Sequence, residues 1–240
     1  MSYEDPRLFV GSDEELYCQW VSSRYASQYN KEGQNFFDDP KIWVSPINDG
    51  YATRAVLPPQ GGNRQKGSPE KNWCYFTHEG VTKLLYSTIP LLIYEDEGGA
   101  RQIPSRCLRK VSEEHPTFNS TAPIDLNGVH LVFYHWKHMN CMPDGRSYLQ
   151  YHCSAYLMDK KLTKITHMIP HAIWSGSLQD ELIWWTTAMG QKVSTQPACI
   201  LPFGGSVVRD ELVMPLGVND AWIGTFRINL DNIMAFMQPV

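Results

Sequence analysis

At 240 residues and 27.5 kDa, with 42% hydrophobic, 12% aromatic and 19% charged residues, the chain has enough apolar content to close a core and too much to remain disordered. A formal net charge of −4 and a pI near 6.0 give no electrostatic basis for a nucleic-acid partner. No apolar run reaches the ~18 residues of a membrane helix, and the opening Met-Ser-Tyr-Glu-Asp-Pro-Arg has no signal-peptide pattern. The six cysteines, Cys18, Cys74, Cys107, Cys141, Cys153 and Cys199, form no CxxC pair in a chain too large to need disulfide staples. A soluble, cytoplasmic protein with reduced thiols is expected, acting on a neutral or mildly polar substrate. All-β folds of this length often form one domain, so a single domain over residues 1–240 is expected.

In chain order, short runs rich in Trp, Tyr, Phe, Val and Ile and bounded by Gly, Pro, Asn and Asp predict strands. They fall at 8–10, 15–22, 42–46, 73–77, 82–87, 91–94, 122–126, 130–136, 149–158, 162–169, 205–209, 211–217 and 222–229. Only 231–236 and the short segment 13–15 read as helical turns. Polar, Gly- and Pro-rich stretches at 58–69 and 112–119 read as loops between strand clusters. The predicted class is all-β.

Four clusters open alike: Glu4-Asp5-Pro6-Arg7-Leu8-Phe9, Glu70-Lys71-Asn72-Trp73, Ser120-Thr121-Ala122-Pro123-Ile124 and Leu201-Pro202-Phe203-Gly204-Gly205. Separations of about 50–80 residues suit four-stranded propeller blades with insertions. A β-propeller is therefore expected, with four blades visible and the polar ends of their innermost strands facing one channel.

These openings resemble, in order, the motifs of the five-bladed β-propeller carbohydrate enzymes, most closely glycoside hydrolase family 130, the β-mannoside phosphorylases and hydrolases. Glu4-Asp5-Pro6-Arg7 is similar to the family's Glu-Asp-Pro-Arg, and Glu70-Lys71-Asn72 to its Asp-Lys-Asn. Ala122-Pro123-Ile124 with Tyr134-His135, then Tyr151 and Leu157-Met158-Asp159, resembles its Pro-Pro-Ile, Tyr-His-Gly and Leu-Leu-Asp elements. Asn219-Asp220, after Gly217, resembles its closing Tyr-Gly-Ala-Ala-Asp. Trp136 replaces the family's Gly, Tyr86-Ser87 stands where His-Arg-Pro is common, and the blade that normally precedes Glu-Asp-Pro-Arg has no counterpart. Either the chain is a fragment of a longer protein, or another element or a second subunit is expected to close the ring. Related propellers include mannosyltransferases.

The resemblance implies Asp5 as general acid. Inverting glycoside cleavage uses two carboxyls about 6.5–9.5 Å apart when water attacks, and Asp5 and Asp220 are the pair to consider. If phosphate attacks instead, a cationic cradle is required, for which Arg7, Arg54, Lys71 and His135 are candidates. Sugars also present apolar faces. Trp73, Tyr134 and Tyr151, with Asn72 and Asn219 for hydroxyls, are the candidate sugar contacts, and Tyr3 and Trp222 are further aromatic platforms.

No cofactor is expected beyond inorganic phosphate or a sugar phosphate as co-substrate. The run His135-Trp136-Lys137-His138 with His152-Cys153 invites a zinc reading, but alternation puts His135 and His138 on opposite faces and no closed zinc-finger spacing occurs. No metal site is expected. Asn119-Ser120-Thr121 reads as a loop supplying polar groups. Three functions remain open: an inverting phosphorylase or hydrolase, a glycosyltransferase using a sugar phosphate or nucleotide sugar, and a non-catalytic glycan-binding module.

Overall fold

The computed structural model describes residues 2–23, 41–47, 54–56, 72–95, 99–113, 115–141, 143, 147–176, 184–186, 192–194, 199–218 and 222–240. They form strands in four sheets and two short helices. The four sequence clusters correspond to these four sheets. Among the described residues no helix is long and apolar enough to cross a membrane, and the six cysteines are present as thiols.

The first sheet is a meander of β1 (Ser2–Val10), β2 (Leu16–Ser23), β3 (Lys41–Pro46) and β4 (Arg54–Val56). The expected helical turn at 13–15 is instead the tight reversal between β1 and β2. There the Asp13 carboxylate accepts from the Glu15 amide at 3.2 Å and the Tyr17 hydroxyl at 2.7 Å, a side-chain turn that competes with helix formation.

The second sheet runs β5 (Cys74–His78), β6 (Val81–Thr88), β7 (Leu91–Glu95) and β8 (Gly99–Ile103). Glu79 and Gly80, with φ of 53° and 73°, give the β5–β6 hairpin the twist that a two-residue turn needs. Alternation along β5 buries Cys74, Phe76 and His78.

Helix α1 (Cys107–Ser112) follows, burying Leu108, Val111 and Ser112. The third sheet then takes β9 (Thr117–Asn119), β10 (Ile124–Asp125), β11 (Val129–Cys141), β12 (Ser147–Asp159), β13 (Ile165–Met168), β14 (Trp174–Ser175), β15 (Trp184–Thr186) and β16 (Lys192–Ser194). Its spine is the β11–β12 pair, in register from Val129↔Asp159 to Cys141↔Ser147. Residues 130–136 of β11 are buried without interruption, as suits a strand covered on both faces.

The last sheet contains β17 (Ile200–Pro202), β18 (Ser206–Val208), β19 (Glu211–Val218) and β20 (Trp222–Asn229). Helix α2 (Leu230–Met234) follows, its first turn capped by the Asn229 side chain. The terminal β21 (Gln238–Pro239) returns to pair with β13.

The described residues divide into two compact units, Met1–Tyr86 with Ile93–Arg101, and Ser87–Leu92 with Gln102–Val240. In the first, Val21, Ile42, Trp73 and Leu84 form the core, flanked by Tyr75, Tyr86 and Tyr94. In the second, Leu131, Phe133, Cys153, Ala155 and Leu157 from β11 and β12 pack against Leu212, Met214 and Ile233 from β19 and α2.

The first unit also buries an ammonium. Lys83, 8% exposed, donates to Glu95 at 2.9 Å, and Arg101 donates to the same carboxylate oxygen. The Lys83 hydrogen bond, then its charge, hold the Glu95 carboxyl below the usual carboxylate range. Glu95→Gln leaves the buried ammonium without its counter-ion and is expected to cost about 1–3 kcal/mol, less than a fully buried pair because solvent screens the one-third exposed carboxylate. The depressed folded pKa makes this stabilisation complete above the unfolded value of about 4.3, and it is lost as pH falls through the folded value. Urea midpoints of the two proteins should therefore differ at pH 7 and converge toward pH 3. A gap unchanged with pH would count against the pairing.

Candidate functional site

In the first unit the site residues gather around a bulge in β1. Glu4 pairs with Val21 and Arg7 with Gln19, so Asp5 and Pro6 together oppose one residue of β2. Asp5 takes a left-handed φ of 54°, a conformation Asp tolerates better than most side chains. A bulge of this kind re-aims a side chain out of the strand's alternation, and Asp5 is left half-buried. Arg7, 5% exposed, donates from its guanidinium to the Asp5 carbonyl at 3.3 Å.

Gln19, opposite Arg7, anchors the second element of the site. Its amide nitrogen donates to the Trp73 carbonyl, and its oxygen accepts from the Tyr75 amide at 2.7 Å. This fixes the approach to β5, where Asn72 sits at φ 70° and is buried. The Cys74 thiol lies 3.9 Å from the Asn72 carbonyl oxygen. Burial pushes that thiol up, with Arg7 opposing and Asp5 reinforcing the shift. Through Gln19, the strand pair that carries the Asp5–Arg7 bulge is tied to the approach to β5 at Trp73 and Tyr75. Gln19 and Cys74 were not anticipated, because nothing in their local sequence marks a long-range contact.

In the second unit β11 presents His135 beside Asn119, the last residue of β9, and the Ser120-Thr121 segment that follows it. The Ser120 hydroxyl and His135 Nδ1 are 2.8 Å apart and both residues are buried. Thr121 Oγ1 accepts from the Phe133 amide at 3.1 Å, and Asn119 Oδ1 from the Thr88 hydroxyl at 2.8 Å. The His135 ring lies between Phe118 and Tyr151, at centroid distances of 5.5 and 5.8 Å. Lys137, two residues along on the same face, sets its ammonium 5.8 Å from the Phe118 centroid and 5.6 Å from that of Tyr151, a cation–π placement. His135, expected at the phosphate, and Tyr151, expected at the sugar, are thus neighbours here together with Lys137 and Phe118, and the i, i+2 spacing from His135 was the signal for Lys137.

Two expected sugar platforms are corrected. Trp73 is 3% exposed and belongs to the first core, and Tyr134 is 0% exposed, its ring 5.8 Å from those of both Trp136 and Tyr156. Burial also raises the Tyr134 phenol pKa. Neither ring has a free face for a sugar. Tyr151 is half-buried. Lys71, Asn219 and Asp220 lie outside the described residues, as do the side chains of Arg54, Tyr3 and Trp222. His135 and His138 do take opposite faces of β11. No group of three or more His, Cys, Asp or Glu among the described residues is placed to hold a metal ion.

Comparison with solved structures decides the fold. A β-1,2-mannobiose phosphorylase from Listeria innocua, complexed with β-1,2-mannobiose, superimposes with a TM-score of 0.59 at 13% identity, over 97% of this chain and 60% of that one. A GDP-Man-dependent mannosyltransferase from Leishmania mexicana gives 0.60 at 12% identity, over 94% and 68%. A mannose phosphorylase from the same organism, complexed with phosphate ion, gives 0.58 at 11% identity, over 99% and 70%. The chain shares their fold. It spans about three-fifths of the length of the Listeria enzyme. No protein-family profile and no curated sequence matches it.

Proposed function

We propose that the chain is a carbohydrate-active enzyme acting on a β-mannosidic bond by inverting phosphorolysis or hydrolysis, and that its four sheets are blades of a β-propeller of the five-bladed type. The observation that carries this reading is the fold shared over nearly the whole chain with mannoside-acting enzymes, together with the same order of strand-end motifs. In phosphorolysis a phosphate oxygen attacks C1 of the mannosyl unit. The C1–O bond breaks with inversion, and Asp5 gives its proton to the departing oxygen. Arg7, Arg54, Lys71 and His135 are assigned to the phosphate, where charge-assisted hydrogen bonds bind best. Asn72, Tyr151 and Asn219 are assigned to the sugar. Asp220 would serve as the second carboxyl if water replaces phosphate.

Transfer from a nucleotide sugar is the second reading, favoured by the likeness to the GDP-Man-dependent enzyme. The two are separated by incubating the full chain with phosphate plus β-1,2-mannobiose, and in parallel with GDP-mannose plus a mannose acceptor. Mannose 1-phosphate and mannose from the first mixture alone are expected. Product from the second alone would transfer the reading to a glycosyltransferase, and product from neither would remove both.

A further inference from the structure

On the face of β11 opposite His135, four planar rings stack in sequence. Trp136 and His152 have centroids 5.4 Å apart at 22°, His152 and His138 4.6 Å apart at 11°, and His138 and His115 5.6 Å apart at 23°. The stack joins four parts of the second unit: β11 through Trp136 and His138, β12 through His152, the segment before β9 through His115, and β14 through Ser175. His152 Nε2 lies 3.0 Å from His138 Nδ1, and His152 Nδ1 lies 2.6 Å from the Ser175 hydroxyl.

Two ring nitrogens 3.0 Å apart hold one proton between them well and two badly. With one proton, an N–H on one ring donates to the lone pair of the other. With both nitrogens protonated the hydrogen bond is replaced by two facing N–H groups, and two cations lie 4.6 Å apart in a partly desolvated place. We propose that His138, His152 and His115 form a pH-sensitive clasp on the outer half of the β11–β12 hairpin, closed while the stack carries at most one extra proton and released when a second is added. The groups facing His152 fit this. Desolvation, then the charge of His138, lower its pKa, with His115 acting the same way and Glu113 opposing. Glu113 thus favours the first proton, whereas the neighbouring imidazoles resist the second. The clasp is built next to the candidate site, because His152 follows Tyr151 and His138 follows Lys137 along the same two strands.

The sign follows from linkage. An unfolded chain protonates its histidines near pH 6.5, whereas the folded pair resists its second proton. The clasp therefore stabilises fully above that value and loses its contribution as pH falls below it toward the folded value.

The test is to follow the histidine ring Cε1–H signals of the full chain by NMR from pH 8 to pH 5. The His152 signal is expected to titrate below the ordinary histidine value, in steps that depend on its neighbour across the 3.0 Å contact. In His138→Gln, His152 should move to a single step at higher pH, and Glu113→Gln should weaken uptake of the first proton. Release is read separately, as amide exchange of His152 and Gly176 at pH 7.5 and 5.5 after correction for the intrinsic pH dependence of exchange. Protection in the wild type should fall at least several-fold more than in His152→Asn, and His138→Gln serves if that variant does not fold. Independent titration of both histidines near 6.5, unchanged by removing either partner, would overturn the coupling. Equal loss of protection in wild type and variant would overturn the release.

Discussion

Asp5→Asn is expected to lower turnover of a β-1,2-linked mannobiose by about 10² to 10⁴-fold, the usual loss when a general acid is removed, while leaving ligand binding and folding in place. The substitution is chosen for its backbone. Asp5 sits at φ 54° in the β1 bulge, and Asn is among the residues that accept that region, so the strand pairing of β1 with β2 should survive. Asn keeps the size and the hydrogen-bonding reach of the carboxyl and loses only the transferable proton. Steady-state kinetics would show kcat falling with KM little changed. If turnover is unaltered and the ligand still binds, Asp5 is not the acid, and a glycan-binding role without catalysis at this residue becomes the better reading. A mutant that fails to show the circular dichroism of the wild type would instead assign Asp5 to the bulge itself, and Asp5→Gly would then separate backbone from proton.

Phe133→Ala is expected to cost about 3–5 kcal/mol of folding stability, the range for truncating a buried aromatic. Phe133 is 0% exposed, lies in the central strand of the larger core and has its ring 5.8 Å from that of Trp174. Both faces of β11 are covered there, so the vacated volume has no solvent to fill it and little freedom to collapse. Ile223→Ala is the control, because Ile223 is 91% exposed and its loss should fall within about 0.5 kcal/mol. Chemical denaturation of both variants checks this, and a small effect at Phe133 would contradict the core described above.

Much of the strand order was legible because each strand carries its own evidence. The run 222–229 matches β20, and alternation in 73–77 anticipates β5 to within one residue. The extent of β11 was underestimated: its apolar part ends at Trp136, but Lys137 to Cys141 remain paired with β12, held by the ladder and not by hydrophobicity. Helix α1 escaped because it is six residues long and buries only Leu108, Val111 and Ser112, too few to establish a helical period. The very short β9, β14 and β21 exist through pairing with distant partners, which no local pattern encodes.

The candidate site divides the same way. Alternation correctly separated His135 from His138, since a strand's period is a local property. It could not say that the faces bearing Trp73 and Tyr134 are covered, because what covers a strand is decided by other parts of the chain. The bulge that frees Asp5 from that alternation was likewise hidden, being a register shift between two strands and not a feature of either. The His115–His138–His152 stack required three elements to meet: His138 and His152 belong to the histidine-rich run that invites a zinc reading, whereas nothing in the local sequence ties His115 to them.

The central claim is that Asp5 faces the glycosidic oxygen of a mannoside. A crystal structure of the full chain carrying Asp5→Asn, grown with β-1,2-mannobiose and phosphate, tests it most directly. The glycosidic oxygen is expected within hydrogen-bond reach of the residue 5 side chain, about 2.6–3.2 Å, with the phosphate against the Arg7 guanidinium. A disaccharide bound elsewhere, with residue 5 and Arg7 touching no ligand, would contradict it.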